Sequence, residues 1–110
     1  MDAPLLMGVL DTLVLEIIGD GPTYGYAIVQ TVGERSKGYF ELREGSLYPA
    51  LHRMERRKLL SSYWQEADGR RRKYYKLTAA GRKALAARKR EWREFSAGVN
   101  GILGTAHAMA

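Results

Sequence analysis

Two clusters in this chain have residue types and spacing suited to chemistry on an anionic partner. The first is Gly45 to Leu60, Gly-Ser-Leu-Tyr-Pro-Ala-Leu-His-Arg-Met-Glu-Arg-Arg-Lys-Leu-Leu. On a helical wheel Leu47, Ala50, Leu51 and Met54 share one side, and Tyr48, Pro49, His52, Arg53 and Arg56 share the other. Ser46 offers an oxygen suited to an N-cap, and Pro49 is tolerated in a first turn whose N–H groups lack intrahelical acceptors. An aromatic and cationic roof of this kind can reach base edges in a DNA major groove, its arginines meeting guanine or phosphate. The second cluster is Arg70, Arg71, Arg72 and Lys73, which directly follow Asp68-Gly69, a strong hairpin signal. With tyrosines behind it at 74 and 75, so basic a tip points to nucleic-acid contact. A solvated basic face is the competing reading of the helix alone; the hairpin tips the balance toward DNA.

Neither cluster reads as catalytic. Ser46 and His52 have no carboxylate placed to orient the imidazole, so no nucleophile–base–orienter set is visible and no enzyme activity is expected. His52 and His107 lack metal-ligand spacing, and the absence of cysteine removes disulfides and thiolate sites, so no metal or cofactor is expected. The lack of cysteine is compatible with a reducing cytoplasm, the expected location.

The net charge of +6 and a pI near 9.8 also call for an anionic partner, nucleic acid or an acidic membrane surface. With 110 residues, 45% hydrophobic and 27% charged, one domain with a modest core is the natural size. The apolar run Leu5 to Ile18 carries Asp11 and Glu16 and falls short of the ~20 residues a bilayer requires, so no membrane insertion is expected.

The elements that must position these clusters follow in order. Pro4 to Ile18 reads as a helix apolar nearly all round, which must be covered on more than one side, in part by a second copy of the chain. Gly19-Asp20-Gly21-Pro22 stops it. Thr23 can cap a second helix from Tyr24 to about Arg35, with Ile28 and Val32 inward and Gly25 suited to a close helix crossing. Tyr24 is assigned to the DNA-facing set along with Ser46, while Tyr26 is expected to pack with its hydroxyl at the surface. Tyr39 to Leu42 is expected to be a short extended piece. Ser61 to Glu66 and Arg72 to Leu77 form strands joined through Ala67 to Arg71. Thr78 caps a last helix from Ala79 to about Leu103. Leu85, Trp92, Val99 and Ala106 are spaced by seven on it, with Phe95 and Ile102 between, a pairing stripe. Gly98, Gly101 and Gly104 weaken its end by ~1 kcal/mol each.

The order of three helices, a basic hairpin and a longer helix is that of a winged helix-turn-helix, mainly α with a small β-hairpin (α+β). Gly21 to Ile28 (Gly-Pro-Thr-Tyr-Gly-Tyr-Ala-Ile), Gly45 to Glu55 and Gly69 to Arg82 together resemble the PadR family of bacterial transcriptional regulators, in its compact form with a single C-terminal dimerisation helix. The resemblance implies a DNA-binding part over residues 1–78 and a dimerising helix and tail over 79–110, one compact unit. It implies a homodimer on double-stranded DNA, a repressor on an inverted-repeat operator, released by a small aromatic effector. Tyr24, Ser46, Tyr48, Pro49, His52, Arg53, Arg56, Arg70, Arg71, Arg72 and Lys73 would meet DNA. Leu6, Leu10, Leu13, Leu85, Trp92, Phe95 and Val99 would build the dimer and effector surface. The alternative is a winged helix that binds a protein partner or an acidic membrane surface without reading DNA.

Overall fold

The computed structural model describes residues 4–105, without the side chains at positions 4, 5 and 7. Ala106 and His107, included in the readings above, lie outside the described residues. Helix α1 spans Pro4–Gly19, α2 Gly25–Arg35, α3 Glu44–Arg56 and α4 Ala79–Leu103; strands are β1 Thr23–Tyr24, β2 Leu60–Ala67 and β3 Arg70–Leu77. The sheet is antiparallel in the order β1-β3-β2, so the fold is the expected winged α+β arrangement.

Helix α1 is the axis of the molecule, in contact with α2, α3, β3 and α4. This explains its all-round apolar sequence: Leu10, Val14, Leu15, Ile17 and Ile18 are all buried within one chain, against Ile28, Val32, Leu42, Leu47, Leu51 and Met54. Much of the cover that the sequence assigned to a second copy is therefore supplied internally. Its stop is as read, with the N–H groups of Asp20 and Gly21 returning to the carbonyls of Ile17 and Ile18.

Helix α3 begins at Glu44, earlier than the Ser46 cap implies, with Arg43 as the extended N-cap residue. The N–H groups of Ser46 and Leu47 both reach the Arg43 carbonyl, so the first turn closes without a side-chain cap. Pro49 consequently lies beyond the first turn. It forgoes a hydrogen bond to the Gly45 carbonyl, and both residues are exposed, where water can take the place of the missing donor.

Thr23 does not cap α2. Thr23 and Tyr24 instead form β1, opposite Tyr75 and Tyr74. Tyr39 to Leu42 forms no strand. The hairpin turn is tighter than expected, with only Asp68 and Gly69, both at positive φ, between the strands. Arg70 and Arg71 thus belong to β3, paired with Ala67 and Glu66.

Thr78 caps α4 as read, its Oγ1 accepting from the Gly81 N–H at 3.0 Å and donating to the Lys58 carbonyl at 2.7 Å. A Cβ on residue 81 would overlap the Leu59 carbonyl oxygen, so only glycine lets the helix start against the hairpin base. The helix continues through Gly98 and Gly101 to Leu103. A cost of ~1 kcal/mol per glycine does not end a helix where no competing turn is encoded.

Candidate nucleic-acid interface

Between the start of α2, the outer side of α3 and the hairpin lies an open cleft of about 390 Å³. Tyr24, Tyr48, His52, Arg70, Arg71, Arg72 and Lys73 line it, seven of the eleven residues nominated for DNA. Gly25, Tyr26, Trp64 and Tyr75 complete the lining. Ser46, Pro49, Arg53 and Arg56 lie outside it; Pro49 and Arg56 are exposed, and Ser46 and Arg53 are half-buried.

The floor is set by one close approach. Tyr48 reaches from α3 across the first residue of α2, Gly25, whose missing side chain makes room for the phenol. Burial pushes the Tyr48 pKa up, and the Glu44 carboxylate adds to the shift. Tyr75, on the floor of the cleft, is raised likewise, first by burial and then by Glu55 and Tyr48. Both phenols therefore stay protonated and neutral, so neither repels an anion. His52 is one helical turn along from Tyr48, its exposed ring 6.4 Å from the phenol ring.

The wing wall alternates as a strand must. On the core-side face Tyr75 and Leu77 are buried, and farther out the same face carries Lys73, Arg71 and, from β2, Trp64. The Arg71 guanidinium sits 5.0 Å above the Trp64 ring. Sequence reading passed over Trp64, although the register that sets it opposite Lys73 follows from the Asp-Gly turn. On the other face Tyr24, Tyr74 and Tyr63 stand side by side across all three strands, with ring separations of 5.3 and 5.8 Å. The Arg72 guanidinium lies 4.4 Å above Tyr24 and the Lys76 ammonium 5.9 Å from Tyr63, so cations flank the aromatic row. Tyr26, expected to pack with only its hydroxyl outside, is more than half exposed.

Two carboxylates fix the elements that carry the cations. Glu55, near the end of α3, accepts from Ser62 Oγ at 2.5 Å and lies 3.7 Å from the Lys73 ammonium. It thus ties α3 to both strands of the wing. Asp11 of α1 accepts from Arg53 Nη2 at 2.6 Å, which anchors this arginine just outside the cleft lining with its side chain still part-exposed. Arg70, Arg71 and Arg72 have no carboxylate partner among the described residues and keep their charge available.

The nominated dimer residues divide. Leu10 belongs to the core of the single chain and Leu6 is buried too, while Leu13 is half-buried. On α4, Leu85 packs against the core, but Trp92 is 49% exposed, Phe95 63% and Ile102 88%, with Val99 also open. Among the described residues no cluster of histidine, aspartate and glutamate could hold a metal ion, and no helix is long and apolar enough to cross a membrane.

Comparison with known proteins bears on the same stretch of chain. A family model described as the Transcriptional regulator PadR-like family matches residues 14–87, more than half of the chain. The transcriptional regulator Rv3488 of Mycobacterium tuberculosis is 36% identical over 88 residues, 80% of this chain and 79% of that protein. A transcriptional regulator from Clostridium thermocellum has a similar structure, with a TM-score of 0.84 at 28% identity, over 90% of this chain and 97% of its own. A PadR-like transcriptional regulator from Bacillus cereus has a TM-score of 0.81 at 33% identity, over 92% of this chain and 97% of its own.

Proposed function

The chain belongs to the PadR-like family of transcriptional regulators, and from that premise we propose that it represses transcription as a homodimer on an inverted-repeat operator in the cytoplasm. It is a regulator, not an enzyme, as its family and its relatives are. The observation that carries the proposal is the cleft itself. Two neutral tyrosines form its floor, and the wing arginines, free of carboxylate partners among the described residues, form one wall. In this reading α3 enters the major groove with Tyr48 and His52 foremost, Ser46 in its first turn and Pro49 just beyond it. Arg70 to Lys73 follow the flanking backbone.

The exposed stripe Trp92, Phe95, Val99 and Ile102 supports the homodimer, since an apolar row left open along one helix face has its natural cover in a second copy of that face. Trp92 and Phe95, with centroids 6.0 Å apart, would offer flat faces to a planar aromatic effector between the subunits. Selection of bound fragments from a random duplex pool tests the proposal. The expected result is one enriched inverted repeat whose affinity falls steeply with salt. Enrichment of no sequence, with equal binding to acidic lipid vesicles, would replace it with a membrane-surface role.

A further inference from the structure

Helix α1 is apolar except for a few positions, and its two carboxylates each hold a cation of another element. Glu16 accepts from Lys89 of α4 at 2.8 Å, and Asp11 accepts from Arg53 of α3 at 2.6 Å. The second pair is the more enclosed, with 16% of the Asp11 side chain and 40% of the Arg53 side chain accessible. Arg53 therefore sits on the helix proposed to read DNA, beside exposed His52, yet its guanidinium is anchored by a residue far away in sequence.

We infer that Asp11 is a positioning residue that converts Arg53 from a general phosphate attractor into a directional donor to DNA. The inference rests on the DNA-binding function proposed above. A guanidinium has five N–H donors in a fixed plane. Asp11 engages Nη2, which fixes the plane and leaves the remaining donors for a second partner. The carboxylate also cancels the cation's charge at a distance, so Arg53 adds little to the long-range attraction that dominates non-selective binding. Moving Arg53 away to a phosphate would leave Asp11 half-buried, unpaired and facing a polyanion, which opposes that motion. Selectivity is thus gained where charge attraction is given up.

The test compares the duplex selected from the random pool with a scrambled duplex of the same composition, over a range of salt. Asp11→Asn keeps the shape and an acceptor oxygen but removes the charge. The expected result is tighter binding to the scrambled duplex, a log-affinity against log-salt slope steeper by ~0.9, and a selected-to-scrambled preference reduced about five- to tenfold. In an Arg53→Gln background the same substitution should change neither slope nor preference. A purely structural brace predicts instead a lower melting temperature with preference and slope unchanged, and that result overturns the inference. Nitrogen NMR of the unaltered protein gives a second reading: slowly exchanging Arg53 Nη signals, free and on the selected duplex, support the anchor, and averaged signals overturn it. If the unaltered protein binds no duplex, the proposed function fails and the inference with it; if it binds selectively and Asp11→Asn matches it, only the inference fails.

Discussion

The hydroxyl of Tyr48 occupies the space a side chain would need at Gly25, and a Cβ there would also come within 2.7 Å of the phenol Cζ. Helices α3 and α2 are thus in register through one absent methyl group. Alanine usually stabilises a helix interior relative to glycine by ~0.5–1 kcal/mol. At position 25 the sign reverses, because overpacking costs about 1–3 kcal/mol. Gly25→Ala is expected to lower stability by that amount in chemical denaturation and to weaken binding to the selected duplex by displacing Tyr48. Gly33→Ala, in the same helix with open space around it, should be neutral or stabilising.

Neutralising Arg70 and Arg71 together is expected to weaken selected and scrambled duplexes alike. The slope of log affinity against log salt should flatten by nearly two units, at ~0.9 per phosphate contact. An unchanged slope would remove the wing from the interface.

The stripe on α4 gives a prediction on assembly. Sedimentation at micromolar concentration should show a dimer, and Phe95→Glu with Ile102→Glu a folded monomer with much weaker operator binding. A stable monomer of the unaltered chain would reject the proposed homodimer. In the proposed dimer two copies of α3 would lie about one DNA turn apart, so half-sites should be spaced by ~10 bp or a multiple.

The two raised phenols set the behaviour in alkali. Each folded pKa lies above the usual value of 10.0, so above pH 10 the unfolded chain loses its tyrosine protons first. The associated stability is complete below pH 10 and is lost as pH climbs through the folded values. Unfolding midpoints should therefore fall from about pH 10 upward. Tyr75→Phe should flatten the decline more than Tyr26→Phe, whose phenol is exposed.

What was legible in the sequence is what depends on neighbours along the chain. The Thr78 cap, the Asp68-Gly69 turn, both ends of α4 and the apolar side of α3 are settled within a few residues, and each is where periodicity and turn chemistry put it. Six of the seven cleft residues came with α3 and the hairpin, and Tyr24 came with a helix start that proved to be a strand. What escaped depends on partners far away. Thr23 and Tyr24 look like a helix start, and become a strand only because Tyr74 and Tyr75 lie alongside. Arg53 sits among cations on the wheel, and nothing near it in sequence points to Asp11. Leu6 and Leu10 read as an outward apolar face because the sequence does not reveal that four other elements crowd around α1.

Strand β1 has one more consequence. It is two residues long, so it occupies the free edge of β3 only beside Tyr74 and Tyr75. From Arg70 to Lys73 that edge has no strand partner among the described residues, and alternate main-chain amides along it point away from β2. Such donors belong to the backbone and survive any change of side chain. A wing stripped of its arginines would still hold out a short comb of N–H groups at the spacing of the pleat, and in the proposed complex its grip on a phosphate would weaken without vanishing.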